Sequence, residues 1–301
     1  MRVVITGASG FAGRHLTALC ADHDVVGLSR AVCDLRDATA TRVVIAHARP
    51  DVVYHLAARS HVGESWQDPA GTLHDNVAMT FNVLEAVRAE APGATVVAVA
   101  SGEVYGAPER LPIDESASLR PQNPYAVSKA SADLLAGFFA DAHGLRVIRA
   151  RAFNHAGPGQ GPTYAISSFA RQAAQGAGRI VTGNPDARRD YTDVRDVVRA
   201  YRLLAERAAP GVYNVCSGRT ASTRELVAAL GLEPEVDPAL LRPHEVMELR
   251  GSYDALRAAT GWEPEIALAQ TVQDTLRWWR DEPARVRTAA PPPARDRPPR
   301  P

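Results

Sequence analysis

The period of apolar and polar positions changes along this chain, and the changes mark out its elements. Arg2-Val3-Val4-Ile5-Thr6, Asp51 to His55, Thr95 to Ala100 and Leu145 to Ala150 are short, mainly apolar runs bounded by turn residues. Runs of this length, rich in valine and isoleucine, predict strands buried on both faces, as in a parallel sheet. Asp24 to Leu28 predicts a further strand, and Val212 to Gly218 a strand and turn that closes a cleft. Elsewhere the period is helical. Residues 70–90 carry Val83, Leu84 and Val87 on one stripe, with Asn76 near the start; a second helix opens at Asn123-Pro124 and carries Leu134, Leu135, Phe138 and Phe139 before Gly144. Asparagine is a favoured N-cap, proline a favoured first helical residue and glycine a favoured stop. Strand alternating with helix predicts an α/β fold, a Rossmann-type doubly wound parallel sheet with a smaller C-terminal α/β domain. We expect the sheet domain over residues 1–155 with a return segment at 189–216, and the smaller domain over 156–188 and 217–286. Residues 287–301, rich in proline and arginine with no apolar anchor, are expected to be a disordered tail.

Composition narrows the classes of function. The 301 residues, 46% hydrophobic, bury a substantial core, and Lys+Arg balance Asp+Glu at 34 each. With no net field to draw nucleic acid or an anionic membrane, any anionic ligand must be met by local charge. No apolar run reaches the about 18 residues of a membrane helix, and Met1-Arg2 leads straight into a strand, so a cytoplasmic protein is expected. Cys20, Cys33 and Cys216 are odd in number and fit no metal pattern, which predicts reduced thiols, no disulfide and no metal site.

Candidate chemistry begins at Gly7-Ala8-Ser9-Gly10-Phe11-Ala12-Gly13, between the first strand and a helix. Gly7 permits a tight turn, Gly10 lets a pyrophosphate approach backbone N–H groups at a helix N-terminus, and Gly13 lets helix pack on strand, which together predict a dinucleotide site. At the end of the next strand, where an acidic residue would bond the ribose 2′-hydroxyl of NAD(H), the chain has Ser29-Arg30. A hydroxyl and a guanidinium suit a 2′-phosphate, so NADP(H) is the expected cofactor, with NAD(H) still open. Tyr125 and Lys129 fall four apart on one face of the helix that opens at Asn123. An ammonium held beside a phenol favours the phenolate, so the pair is expected to exchange a proton near neutral pH and to serve as general acid for a carbonyl. Ser101, at the exit of the Thr95 strand, can converge on the same oxygen.

Ser101, Tyr125 and Lys129, with the N-terminal glycines, resemble the extended short-chain dehydrogenase/reductase family from residue 2 to about residue 280. The resemblance implies that Phe11 belongs to the cofactor turn, that Asp34 and Leu35 contact adenine, and that Leu56, Ala57 and Ala58 lie under the cofactor. It also implies a homodimer paired through the 70–90 and 124–143 helices. Arg151 to Gln160 resembles the substrate-side loop of the reductases of GDP-4-keto-6-deoxy-mannose. Residues 183–191 and 242–246 resemble loops that hold GDP. On that likeness Arg189 and Arg242 would meet the diphosphate, Glu245 a nucleotide hydroxyl, and Asn154 the sugar-phosphate link, with Ser101 and Gly102 at the sugar. The expected reaction is NADPH-dependent reduction of the C4 ketone of GDP-4-keto-6-deoxy-mannose. A nucleotide-sugar 4,6-dehydratase or epimerase stays open, since Glu103 stands where the dehydratases keep the glutamate that removes the C5 proton. A non-catalytic NADP-sensing protein is the alternative of another class, and the Tyr125–Lys129 pair argues against it.

Overall fold

The computed structural model describes residues 1–241 and 246–281. Arg242, Glu245 and the expected tail at 287–301 lie outside the described residues. From the N-terminus the chain runs β1 (Arg2–Thr6), α1 (Phe11–Leu19), β2 (Asp24–Leu28), α2 (Ala38–Ala48), β3 (Val52–His55), a single turn α3 (Val62–Ser65), α4 (Pro69–Glu90), β4 (Thr95–Ser101), α5 (Pro124–His143) and β5 (Arg146–Ala152). It continues as β6 (Asn154–Ala156), α6 (Ala165–Ala174), β7 (Arg179–Thr182), β8 (Arg188–Asp193), α7 (Val194–Arg207) and β9 (Gly211–Val215). Last come β10 (Thr220–Ser222), α8 (Thr223–Ala228), β11 (Glu233–Val236), β12 (Glu248–Leu249), α9 (Asp254–Thr260) and α10 (Leu268–Arg280).

Six parallel strands form the central sheet in the order β2-β1-β3-β4-β5-β9. Side chains alternate between its faces, and both faces are buried. Val3, Ile5, Tyr54, Val97 and Ile148 pack with Leu16 of α1 and with Val197, Tyr201 and Leu204 of α7. Their neighbours Val4, Val53, Val96 and Val147 pack on the other side with Ile45 of α2, Val83, Leu84 and Val87 of α4, and Phe139 of α5. Each such side chain contributes about 1.5–3 kcal/mol by leaving water, which is why near-continuous apolar runs become central strands. The apolar set of α5 is divided: Phe139 is buried on the sheet while Leu134 and Phe138 are 60% and 55% exposed.

The chain passes from β1 outward to β2, then crosses back to β3 on the other side of β1. A parallel sheet opens a crevice at the carboxyl ends of the strands where the winding reverses. Facing that end is a second group of elements, in which β8 pairs with β6, β10 and β12, and β7 pairs with β11. Ile166, Phe169, Ile180, Leu226, Val227 and Val272 form its separate core. Buried Asp193 joins the two groups: it caps α7 at the Arg195 N–H and accepts the Thr271 hydroxyl of α10 at 2.8 Å.

Candidate active site

Local sequence sets the catalytic wall. The Asn123 carboxamide oxygen accepts the Ala126 N–H at 2.8 Å, capping α5, and Pro124 occupies its first position. That places Tyr125 in the first turn, and its own N–H donates to the Ser65 hydroxyl at 3.1 Å. The amide of Asn123 also donates to Glu103 at 3.1 Å, so one residue both starts the helix and holds the carboxylate beside it. The Ser101 hydroxyl accepts the Glu103 N–H at 3.2 Å and is near enough to the Tyr125 phenol to pull its pKa down. Ser101, Glu103 and Tyr125 are thus brought together.

Lys129 lies one turn further along α5, buried, and its Nζ donates to the Val99 carbonyl at 2.5 Å. Burial pulls its ammonium down to about 8, against the opposing charge of Asp133. The expected lowering of the Tyr125 pKa by Lys129 is not what the geometry gives. Burial pushes the phenol above its ordinary value, the neighbouring Ser101 hydroxyl opposes, and the nearby Glu103 and Tyr164 add to the rise. With the ammonium drawn to a β4 carbonyl, desolvation decides the direction.

Beneath this wall runs a hydrogen-bonded chain that sequence reading did not find. His55 Nδ1 is 2.9 Å from the Thr6 hydroxyl and Nε2 is 3.1 Å from the Thr80 hydroxyl. The Thr80 proton goes to the Asn76 carbonyl at 2.8 Å, which assigns the ring proton to Nε2 and leaves Nδ1 to accept from Thr6. Burial, then the charge of Lys129, pulls His55 down to about 3, so the ring is neutral. Asn76 also donates to Ser128 at 2.8 Å and accepts the Arg59 N–H at 2.7 Å. Apart from Asn76 and Thr80, one turn apart on α4, the partners lie on different elements, so no local spacing signals the chain.

The glycine turn leaves a cradle that fits a dinucleotide. Gly7 has φ +71°, and a Cβ there would stand 2.9 Å from the Ala57 nitrogen. One on Gly13 would stand 2.1 Å from the Gly7 carbonyl, and one on Gly10 3.0 Å from the same oxygen. Gly10 caps α1 without a side chain, leaving first-turn N–H groups directed at the crevice. Leu56 and Ala57 donate their N–H groups to the carbonyl and the hydroxyl of Thr6, and Ala58 follows, half-buried. Phe11 stacks on His155 with centroids 6.0 Å apart. Beyond β2, Ser29 is half-buried and Arg30 exposed. Asp34 is taken by Arg36, at 2.9 Å from Nε and 2.5 Å from Nη2, which holds its carboxyl well below the usual carboxylate range. Leu35 is buried in the core, and Asn82 donates to the Leu35 and Arg36 carbonyls at 2.8 and 3.1 Å. Arg36, which sequence reading passed over, therefore shares this corner with Arg30.

On the far side of the crevice, buried Gly102 begins a 3-10 turn, and a Cβ on it would meet the Phe153 ring at 2.9 Å. Asn154 pairs with Tyr191 in strand register, and Arg189 of β8 donates to the Arg188 carbonyl at 2.9 Å. Buried Asp190 beside it accepts the Ser217 N–H and hydroxyl at 2.8 and 2.7 Å, and the Gly218 and Gly251 N–H groups at 2.9 and 3.3 Å. Its burial pushes the carboxyl up to about 6. All three cysteines are buried and free. Among the described residues no cluster of metal-ligating side chains occurs, and no helix is long and apolar enough to cross a membrane.

A crevice with these features has relatives of known kind. The chain is 42% identical over 295 residues to GDP-6-deoxy-D-mannose reductase of Pseudomonas aeruginosa, covering 92% of this chain and 97% of that one. The structure of RMD from Pseudomonas aeruginosa complexed with NADPH superimposes with a TM-score of 0.85 at 38% identity, covering 94% of this chain and 100% of that one. UDP-glucose 4-epimerase of Thermus thermophilus, solved with NAD, superimposes with a TM-score of 0.84 at 30% identity, covering 93% and 99%. The family model for GDP-mannose 4,6 dehydratase matches residues 28–275, and on that match the chain belongs to the GDP-mannose 4,6-dehydratase family within the extended short-chain dehydrogenases/reductases.

Proposed function

We propose that this chain reduces the C4 ketone of GDP-4-keto-6-deoxy-D-mannose to GDP-6-deoxy-D-mannose. The observation that carries the reading is Ser101, Glu103 and Tyr125 gathered at the carboxyl end of β4 by the Asn123 cap, in a chain so close, end to end, to a GDP-6-deoxy-D-mannose reductase. Bound in the crevice, the reduced nicotinamide supplies the hydride. Tyr125 gives its phenolic proton to the ketone oxygen as the carbon is reduced, and a proton from solvent restores the phenol. Because burial keeps that phenol protonated through the neutral range, Tyr125 acts as the acid. Ser101 donates to the same oxygen, and the Lys129 ammonium holds the nicotinamide ribose. Arg30, with Arg36 at the same corner, favours the 2′-phosphate of NADPH. Arg189 and Arg242 meet the diphosphate, Glu245 a nucleotide hydroxyl, and Asn154 and Gly102 the sugar side. In this reading residues 1–155 and 189–216 hold the cofactor, and 156–188 with 217–286 hold the nucleotide sugar.

Glu103 favours a second reading, dehydration of GDP-mannose, because Asn123 fixes its carboxylate beside Tyr125. One pair of assays separates the two. Given NADPH and GDP-4-keto-6-deoxy-mannose, the reductase consumes reduced nicotinamide stoichiometrically and largely keeps this activity in Glu103→Gln. A 4-keto product formed from GDP-mannose alone, and lost in Glu103→Gln, replaces it with the dehydratase.

A further inference from the structure

Two loops from opposite sides of the crevice meet near the start of α5, and neither has a part in the chemistry described so far. Ser60 and His61 follow β3, and Tyr164 precedes α6. The Ser60 hydroxyl lies 2.9 Å from the Tyr164 hydroxyl, and the His61 ring meets the Tyr164 ring edge-on at 5.8 Å. Both loops are fixed from behind. His61 Nδ1 caps α3 at the Glu64 N–H, and Ser65 of the same turn accepts the Tyr125 N–H. Across the crevice, Arg14 and His15 of α1 bond the Gly159 and Pro158 carbonyls at 2.9 Å each, holding the segment that leads to Tyr164. Tyr164 is near enough to Tyr125 to add to the rise in that phenol's pKa.

Two hydroxyls that satisfy each other at 2.9 Å on a half-open surface gain little from one another, because water would serve each equally well. Their value lies in placement. Both are held by rigid neighbours at the entrance to the catalytic phenol, and a hydroxyl can donate and accept at once. We propose that Ser60 and Tyr164 form a sugar subsite, a pair of hydroxyls that takes a ring hydroxyl of the hexose and turns its C4 toward Tyr125. The ligand class is a nucleoside-diphosphate hexose with free hydroxyls beside C4. This inference rests on the nucleotide-sugar reading above, and Ser60 and Tyr164 act as positioning residues that touch no reacting atom.

The test uses binding, so that it does not depend on turnover. Calorimetry compares GDP-mannose with GDP on wild type, Tyr164→Phe, Ser60→Ala and the double variant, each with NADPH present. Tyr164→Phe keeps the ring against His61 and removes only the hydroxyl. The wild type is expected to prefer GDP-mannose over GDP, and Tyr164→Phe to reduce that preference about three- to tenfold while binding GDP as before, the range expected for one neutral hydrogen bond. In the double variant the loss should be no larger than in Tyr164→Phe, because the hydroxyls work as a pair. An unchanged preference in Tyr164→Phe, or equal wild-type affinity for the two ligands, overturns the subsite. In turnover, KM for the keto-sugar should rise by the same factor with KM for NADPH constant. A wild type that preferred GDP-mannose but consumed no NADPH with the keto-sugar would remove the reductase reading and leave the subsite standing.

Discussion

At the scale of single residues, Tyr125 and Lys129 are shifted in opposite directions by the same cause, because burial always penalises the charged form. The tyrosine remains an acid well above neutrality, whereas the lysine loses its charge as pH rises through about 8. The descending limb of a kcat/KM profile for NADPH should therefore fall near pH 8 and belong to Lys129. In Lys129→Met activity should be low and that limb absent; a limb that persisted there would belong to another group. Tyr125→Phe should lower kcat by about 10²- to 10⁴-fold, the usual worth of a positioned proton donor. Arg30 is exposed at the β2 end of the crevice, so Arg30→Ala should raise KM for NADPH on the order of tenfold and leave KM for NADH nearly unchanged. Equal losses for both would transfer the 2′-phosphate to Arg36.

Between elements, the bonds that matter most are those that sequence could not disclose. The glycine turn, the Asn123-Pro124 start of α5 and the short apolar strands were legible because each is decided within a few residues of chain. His55 between Thr6 and Thr80, and Tyr164 beside Ser60, depend on residues 25 to 104 positions apart meeting after the sheet has wound. The same is true of Arg151, which by position starts the substrate-side loop and is instead buried on Asp133 of α5 at 2.7 Å. Removing Arg151 leaves buried Asp133 only the more distant Arg149, at 3.5 Å, so Arg151→Met should cost about 3 kcal/mol in denaturant unfolding, and Asp133→Asn with Arg151→Met less than the sum of the two. His55 gives a pH signature. Its folded value is depressed to about 3, so between that pH and the ordinary histidine range of about 6.5 the unfolded chain binds the extra proton, and acid destabilises the fold. Buried Asp190, raised to about 6, acts in the reverse sense below that pH by binding its proton in the fold. The contribution of His55 is therefore read as a difference: unfolding free energy should fall less steeply from about pH 6.5 to about 4.5 in His55→Gln than in wild type. Parallel curves would mean that the folded ring takes up its proton over the same pH range as the unfolded one.

For the whole molecule, the division of the α5 apolar set points outward from the sheet. Leu73 and Phe81 of α4, and Val127, Leu134 and Phe138 of α5, are exposed, while the alternate positions Val83, Leu84, Val87 and Phe139 fill the core. On α5 the exposed three are seven and then four residues apart, the spacing of one helical stripe. Phe138 stands edge-on to buried Phe139 at 6.0 Å, and Phe81 to the same ring at 5.8 Å, so the two helices present their outer rings together. Such a patch on neighbouring helices fits self-association about a two-fold axis, where α4 and α5 of one copy meet those of another and each residue is used twice. Sedimentation of the wild type at micromolar concentration should give a dimer. Leu134→Glu with Phe138→Glu should give a monomer with unchanged circular dichroism, since neither side chain belongs to the core. Tyr125 lies at the opposite end of α5 from Phe138, so the monomer should bind NADPH with near wild-type affinity while melting at a lower, concentration-independent temperature. A wild-type monomer, or a double variant that remains dimeric, would mean that this stripe is not the contact.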